Sequence, residues 1–68
     1  MWGVFYYVGE VDTGILKSSK YVLGMVFDTL EEAEELYRHE ISVEGYADDE
    51  VSVCHLDDPS VQDGCIYC

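Results

Sequence analysis

Cationic side chains are almost missing from this chain: Lys17, Lys20 and Arg38 face fifteen Asp and Glu residues. Bare nucleic acid or an anionic membrane surface would repel such a chain, so neither is expected as a direct ligand. Long hydrophobic runs are lacking too. None reaches the ~18–20 residues of a membrane span, and the N-terminus shows no basic region with a cleavage site. The expectation is a soluble protein of the cytoplasm. Cysteine is scarce and odd in number (Cys54, Cys65 and Cys68), which argues against a disulfide framework and for reduced thiols. Gly3, Gly9, Gly14 and Gly24 form neither a dinucleotide fingerprint nor a phosphate loop. There is no internal repeat and no low-complexity stretch.

The chain does have apolar residues, at 49%, with 13% aromatics, too many for a disordered acidic tail. At 68 residues it makes one domain, 1–68, near the size at which a single core barely outweighs chain entropy. Trp2, Phe5, Tyr6, Tyr7, Tyr21, Phe27 and Tyr37 supply the core and lie in the first 37 residues. The charge lies elsewhere. Residues 1–30 hold Glu10, Asp12 and Asp28 against two lysines, a net of −1, and residues 31–68 hold the other twelve acids against Arg38, a net of −11. Self-repulsion on that scale costs stability, and a total of −12 exceeds the ~2–8 units that serve solubility in small domains.

The pattern predicts an α+β fold: an antiparallel sheet of three or four strands packed on one helix, in the order β-β-α-β with an optional final strand. Residues 2–11 read as a strand that is apolar on both faces, with Trp2, Val4, Tyr6 and Val8 on one and Phe5, Tyr7 and Val11 on the other. A central strand fits that pattern, as does an edge strand meeting a partner, which leaves monomer and homodimer both open. Turn residues in 12–19 lead to a second strand at about 20–27, on which Tyr21, Leu23, Met25 and Phe27 form one row. Residues 29–41 read as a helix that opens with a Thr29/Glu32 capping box. Leu30, Ala33, Leu36, Tyr37 and Ile41 make its apolar stripe. A loop at 42–50 precedes a third strand at about 51–56, and Asp57-Asp58-Pro59-Ser60 stops that strand.

The acidic set is the first candidate site. On a helix, Glu31, Glu32, Glu34 and Glu35 project on the solvent side with neighbours ~5–6 Å apart, a spacing similar to that of nucleic-acid phosphates. Asp48-Asp49-Glu50 and Asp57-Asp58 flank the third strand and would extend the line of charge. Tyr46, beside Gly45 and the acidic run, is the expected exposed aromatic anchor. An acidic face of this kind would seat on a basic surface made for DNA or RNA, with long-range attraction speeding its approach. In size, charge and element order the chain resembles the small acidic inhibitors of bacteriophages and mobile elements: anti-CRISPR proteins, anti-restriction proteins and other DNA mimics. The residues carrying the resemblance are Glu31 to Glu35, Asp48 to Glu50 and Asp57-Asp58. The resemblance implies a non-catalytic protein, without cofactor, that covers the nucleic-acid-binding surface of a CRISPR effector or restriction complex in a host cytoplasm.

The cysteines form the second candidate site. Cys65-Ile66-Tyr67-Cys68 has zinc-knuckle spacing, and an upstream thiolate with an imidazole, from Cys54 and His55 or the more distant His39, would complete a four-ligand site, making a small zinc-binding or redox protein the alternative. Cys54 and His55 are adjacent on a strand and so point to opposite faces, which weakens the pattern. The plainer reading is a small core thiol and two incidental ones. Asp57, Asp58 and Asp63-Gly64 lack the order of a calcium loop, and a chain this short offers little pocket in which to desolvate a catalytic carboxylate.

Overall fold

The computed structural model describes residues 1–12 and 14–67, and its architecture follows from one strand that is buried on both sides. Strand β1 (Trp2–Asp12) pairs with β2 (Lys17–Phe27) on one side and β3 (Val51–His55) on the other. Helix α1 (Leu30–Ser42) lies between β2 and β3 in the chain, and β4 (Cys65–Tyr67) is the final strand that the sequence left optional. All pairings are antiparallel, in the order β3-β1-β2-β4. The expected α+β fold is therefore the one the chain builds.

Val4 and Phe5 are successive residues, both fully buried, and they point to opposite faces. On the helix side, Val4, Ala33 and Val51 form the core, with Trp2, Tyr6, Phe27, Leu36, Tyr37 and Val53 packed around them. On the other side, Phe5, Leu23 and Leu56 close over the Cα of Gly3, and Ile66 of β4 is buried. Burying a Val or Phe side chain is worth roughly 1.5–3 kcal/mol, so each face gains from its own anchor.

Two bulges correct the simple alternation read from the sequence. The register shifts between Val4 and Phe5, where Met25 and Leu23 are the partners, so Gly24 is the extra residue on β2. The expected row of Tyr21, Leu23, Met25 and Phe27 is thereby split: Tyr21 and Leu23 face away from the helix, whereas Phe27 joins the helix-side core. A second shift, between Tyr7 and Gly9, leaves Val8 unpaired and 56% exposed, with Gly9 at a φ of 141°. Beyond it the alternation is reversed, so Glu10 rather than Val11 shares the face of Tyr7.

The hairpin ladder also runs further than the turn residues implied. Ser18, Ser19 and Lys20 pair with Val11, Glu10 and Gly9, and Asp12 sits opposite Lys17, so β2 begins three residues early. Ladder bonding has overridden the weak strand preference of serine. Helix α1 begins after Thr29, whose hydroxyl oxygen accepts from the Glu32 N–H at 3.3 Å. The Glu32 carboxylate accepts from the Thr29 hydroxyl at 3.1 Å rather than from a backbone N–H, a variation on the expected box. Of the predicted stripe, Ala33 is fully buried, Leu36, Tyr37 and Ile41 are half-buried, and Leu30 is 38% exposed at the β3 margin.

The bulge at Gly24 makes room for an aromatic ring. A Cβ at position 24 would lie within van der Waals overlap of Cε2 and Cδ2 of Tyr6, at 2.2 and 2.5 Å. Gly24→Ala should therefore destabilise the fold by about 1–3 kcal/mol in denaturant titrations. The penalty should vanish when Tyr6→Ala is already present, which a double-mutant cycle would read directly.

Candidate functional site

The acidic residues are divided among several parts of the surface rather than set along one flat face. Glu31 and Glu35 are both exposed on α1, and Glu35 borders the depression beside Phe27. Glu34 leans toward β3, where it shares a groove of about 490 Å³ with Leu30, Tyr37, Asp48, Val51 and Val53. Glu32 leans the other way and lines a smaller depression of about 310 Å³ with Phe27, Glu35, Leu36 and His39. Asp49 and Glu50 turn to the face opposite the helix and border a hollow of about 270 Å³ with Tyr7, Glu10, Ser19 and Tyr21. Asp57 and Asp58 lie at the far end of β3, beyond His55. Glu34 and Asp48 thus meet in one groove and Asp49 and Glu50 in one hollow, while the Asp57-Asp58 pair is separated from both by the length of the strand.

Tyrosine hydroxyls hold the acidic loop in place. Tyr21 donates to the Asp49 carbonyl at 2.6 Å, and Tyr37 donates to the Asp48 carbonyl at 3.3 Å. The Tyr7 N–H donates to the Glu50 carbonyl at 2.8 Å, so the β1–β3 ladder reaches into the loop. With their carbonyls anchored to both faces of the sheet, Asp48 and Asp49 send their carboxylates outward.

Several of the expected binding residues have structural work. The Glu50 carboxylate accepts from the Ala47 N–H at 2.9 Å and closes the turn that the Glu50 N–H makes to the Ala47 carbonyl. Asp58 accepts from the Ser60 N–H at 2.9 Å and the Ser60 hydroxyl at 2.8 Å. Those two bonds, the backbone one foremost, hold its carboxyl below the ordinary aspartate value. Glu32 belongs to the helix cap, and Glu34 lies 4.0 Å from Arg38 in a solvent-exposed i,i+4 pair of small energetic weight. Among the described residues, Glu31, Glu35, Asp48 and Asp49 are the expected carboxylates with no such side-chain bond. Tyr46 is exposed, at 40%, as the sequence led one to expect, and its ring centroid lies 5.8 Å from that of Tyr6. Burial, then Glu40, then Tyr46 raise the pKa of the Tyr6 hydroxyl.

The cysteine constellation does not assemble as a group. Cys54 pairs with Gly3 and shares its face, whereas Cys65 pairs with Val22, whose partner Tyr6 lies on the helix side. Cys54 and Cys65 therefore project from opposite faces, on the two edge strands. Cys68 lies outside the described residues. Among those described, no three His, Cys, Asp or Glu side chains are grouped to hold a metal ion.

Sequence reasoning missed Glu10, Tyr7 and Tyr21 as the walls of the hollow opposite the helix. The signal was present in Gly9 and Gly24, because glycine inside a strand marks a bulge and a bulge moves side chains between faces. No helix among the described residues is long and apolar enough to cross a membrane. Comparison of the chain with protein-family models, curated proteins and solved structures found no match.

Removing the Tyr21 hydroxyl should loosen the acidic loop. Tyr21→Phe is expected to cost about 1 kcal/mol in denaturant titrations, with amide exchange accelerated at residues 48–50 ahead of the sheet. Asp58 gives a pH signature. Because its folded pKa lies below its unfolded value, its contribution is complete above the unfolded value of about 4 and is lost as pH falls through the folded one. The stability difference between the parent protein and Asp58→Ala should thus shrink on going from neutral pH to about pH 3.

Proposed function

We propose that this protein is a non-catalytic acidic inhibitor that covers a basic nucleic-acid-binding surface on another protein. The reading includes nucleic-acid mimicry, with a CRISPR effector or a restriction complex in a host cytoplasm as its target. The observation that carries it is the anchored acidic rim. Asp48 and Asp49 are fixed by tyrosines of two elements, and Glu31 and Glu35 stand on the adjoining helix, so four carboxylates are presented without a folding role of their own. Holding like charges in place in a chain of net −12 costs stability, and a cationic partner would recover that cost. Fixed charges also lose less entropy on binding than mobile ones. The zinc or redox alternative has less support, since Cys54 and Cys65 face opposite ways.

The test separates carboxylates that fold the chain from those that face outward. Reversing Glu31, Glu35, Asp48 and Asp49 to lysine should leave the circular-dichroism spectrum unchanged. It should also slow association with a basic nucleic-acid-binding complex by at least about tenfold, within the range that electrostatic steering supplies. Binding by the parent protein should release bound DNA or RNA and weaken as salt rises. Unchanged inhibition by the quadruple variant, or affinity independent of salt, would overturn the proposal.

A further inference from the structure

The outer edge of β3 has backbone groups that no strand among the described residues pairs. In the β1–β3 ladder, the Leu56 N–H donates to the Met1 carbonyl and the Tyr7 N–H donates to the Glu50 carbonyl. The register between those bonds is unbroken, so Gly3 with Cys54 and Phe5 with Ser52 are the other bonded pairs. It follows that the N–H and C=O groups of Val51 and Val53 point away from β1. Among the described residues no other strand lies on that side, because β3 ends the sheet. Beside this edge runs the groove between β3 and α1, floored by Val51 and Val53 and walled by Leu30 and Tyr37, with Glu34 and Asp48 at its rim.

We propose that this edge and groove form a strand-addition site for an extended cationic segment of a partner protein. A segment laid against Val51 and Val53 would complete their backbone hydrogen bonds, and alternate side chains would fall into the groove. The charge of the rim selects the occupant. Lysine or arginine stems would cover Leu30 and Tyr37 while their charged ends reach Glu34 and Asp48, the usual way such side chains meet an apolar floor beside water. A second copy of this chain fits worse, since pairing β3 with β3 brings two sets of the same carboxylates together. The inference takes its cationic partner from the proposed inhibitory function and adds how that partner is gripped.

A short capped peptide of alternating lysine and valine is the probe, with amide exchange followed by NMR. Binding should slow exchange at Val51 and Val53 and perturb Glu34 and Asp48. Two control peptides, one N-methylated at alternate residues and one with glutamate for lysine, should each bind at least about tenfold more weakly. Val53→Pro removes an N–H that does not bond β1 and trims some core packing at Val53, so it should lower stability while circular dichroism shows the fold retained, and peptide binding should be lost. Equal binding of the N-methylated peptide would overturn strand addition. Absence of protection at Val51 and Val53 would do the same, as would a concentration-dependent dimer of the protein alone that already protects them. The assay contains no nucleic acid, so its failure leaves the competition with DNA or RNA standing, and failure of that competition leaves this result standing.

Discussion

Everything in this fold depends on burying β1 on both faces at once. Val4 and Phe5 are adjacent and fully inaccessible, and each faces a different set of neighbours: the helix side with Ala33 and Val51, or the opposite side with Leu23 and Leu56. A chain of this length has few other means of building an interior. Only Val4, Phe5, Ala33, Val51 and Ile66 are buried apolar side chains among the described residues, and the Cα atoms span just 12 Å in the shortest direction. A single helix-facing core would leave half the sheet wet, so the segment after β3 returns across the second face to place Leu56 and then Ile66 there. Losing either anchor of β1 would remove a large share of the stability expected of so small a domain.

A small core also limits how much charge repulsion the chain can carry, which gives meaning to the way its carboxylates are used. Glu32, Glu50 and Asp58 accept hydrogen bonds that close a helix cap and two turns, so part of the acidity contributes to folding. Asp48 and Asp49 are held in place as well. Tyr21 and Tyr37 reach from β2 and α1 to the carbonyls of successive residues, Asp49 and Asp48, and tie the loop down at two backbone points. An acidic surface serving solubility alone has no need of such anchoring, whereas one that must match a partner gains from it.

Much of this was legible in the sequence. The helix, its Thr29 cap, the third strand and the double-sided apolar pattern of β1 follow from local periodicity and capping chemistry, which act within a few residues. The facing of β2 and of the outer half of β1 did not follow, because each depends on a bulge that arises between strands. Gly24 reads as a weak strand residue until the ring of Tyr6 is seen lying where its side chain would be. The same shift explains why the acids did not form one line. Local spacing placed Glu31 to Glu35 on a helix, but only the tertiary turn at Ala47–Glu50 sends Asp48 toward one face and Asp49 with Glu50 toward the other.

The edge of β3 brings these features together, because one arrangement of charge there has two consequences. An open strand edge invites pairing with any extended chain, and proteins commonly protect such edges with charge. Glu34 and Asp48 provide that protection against another copy of this chain, whose approach would set carboxylate against carboxylate. The protection is selective by sign. For a basic segment the same two carboxylates are attractive, the unpaired groups of Val51 and Val53 offer directional bonds, and Leu30 and Tyr37 offer a surface for aliphatic stems. Discrimination between self and a cationic partner then requires no dedicated recognition motif. It follows from placing acids beside a strand edge that lies against the helix, in a chain with few cations of its own, of which Arg38 makes only a weak, solvent-exposed pair with Glu34.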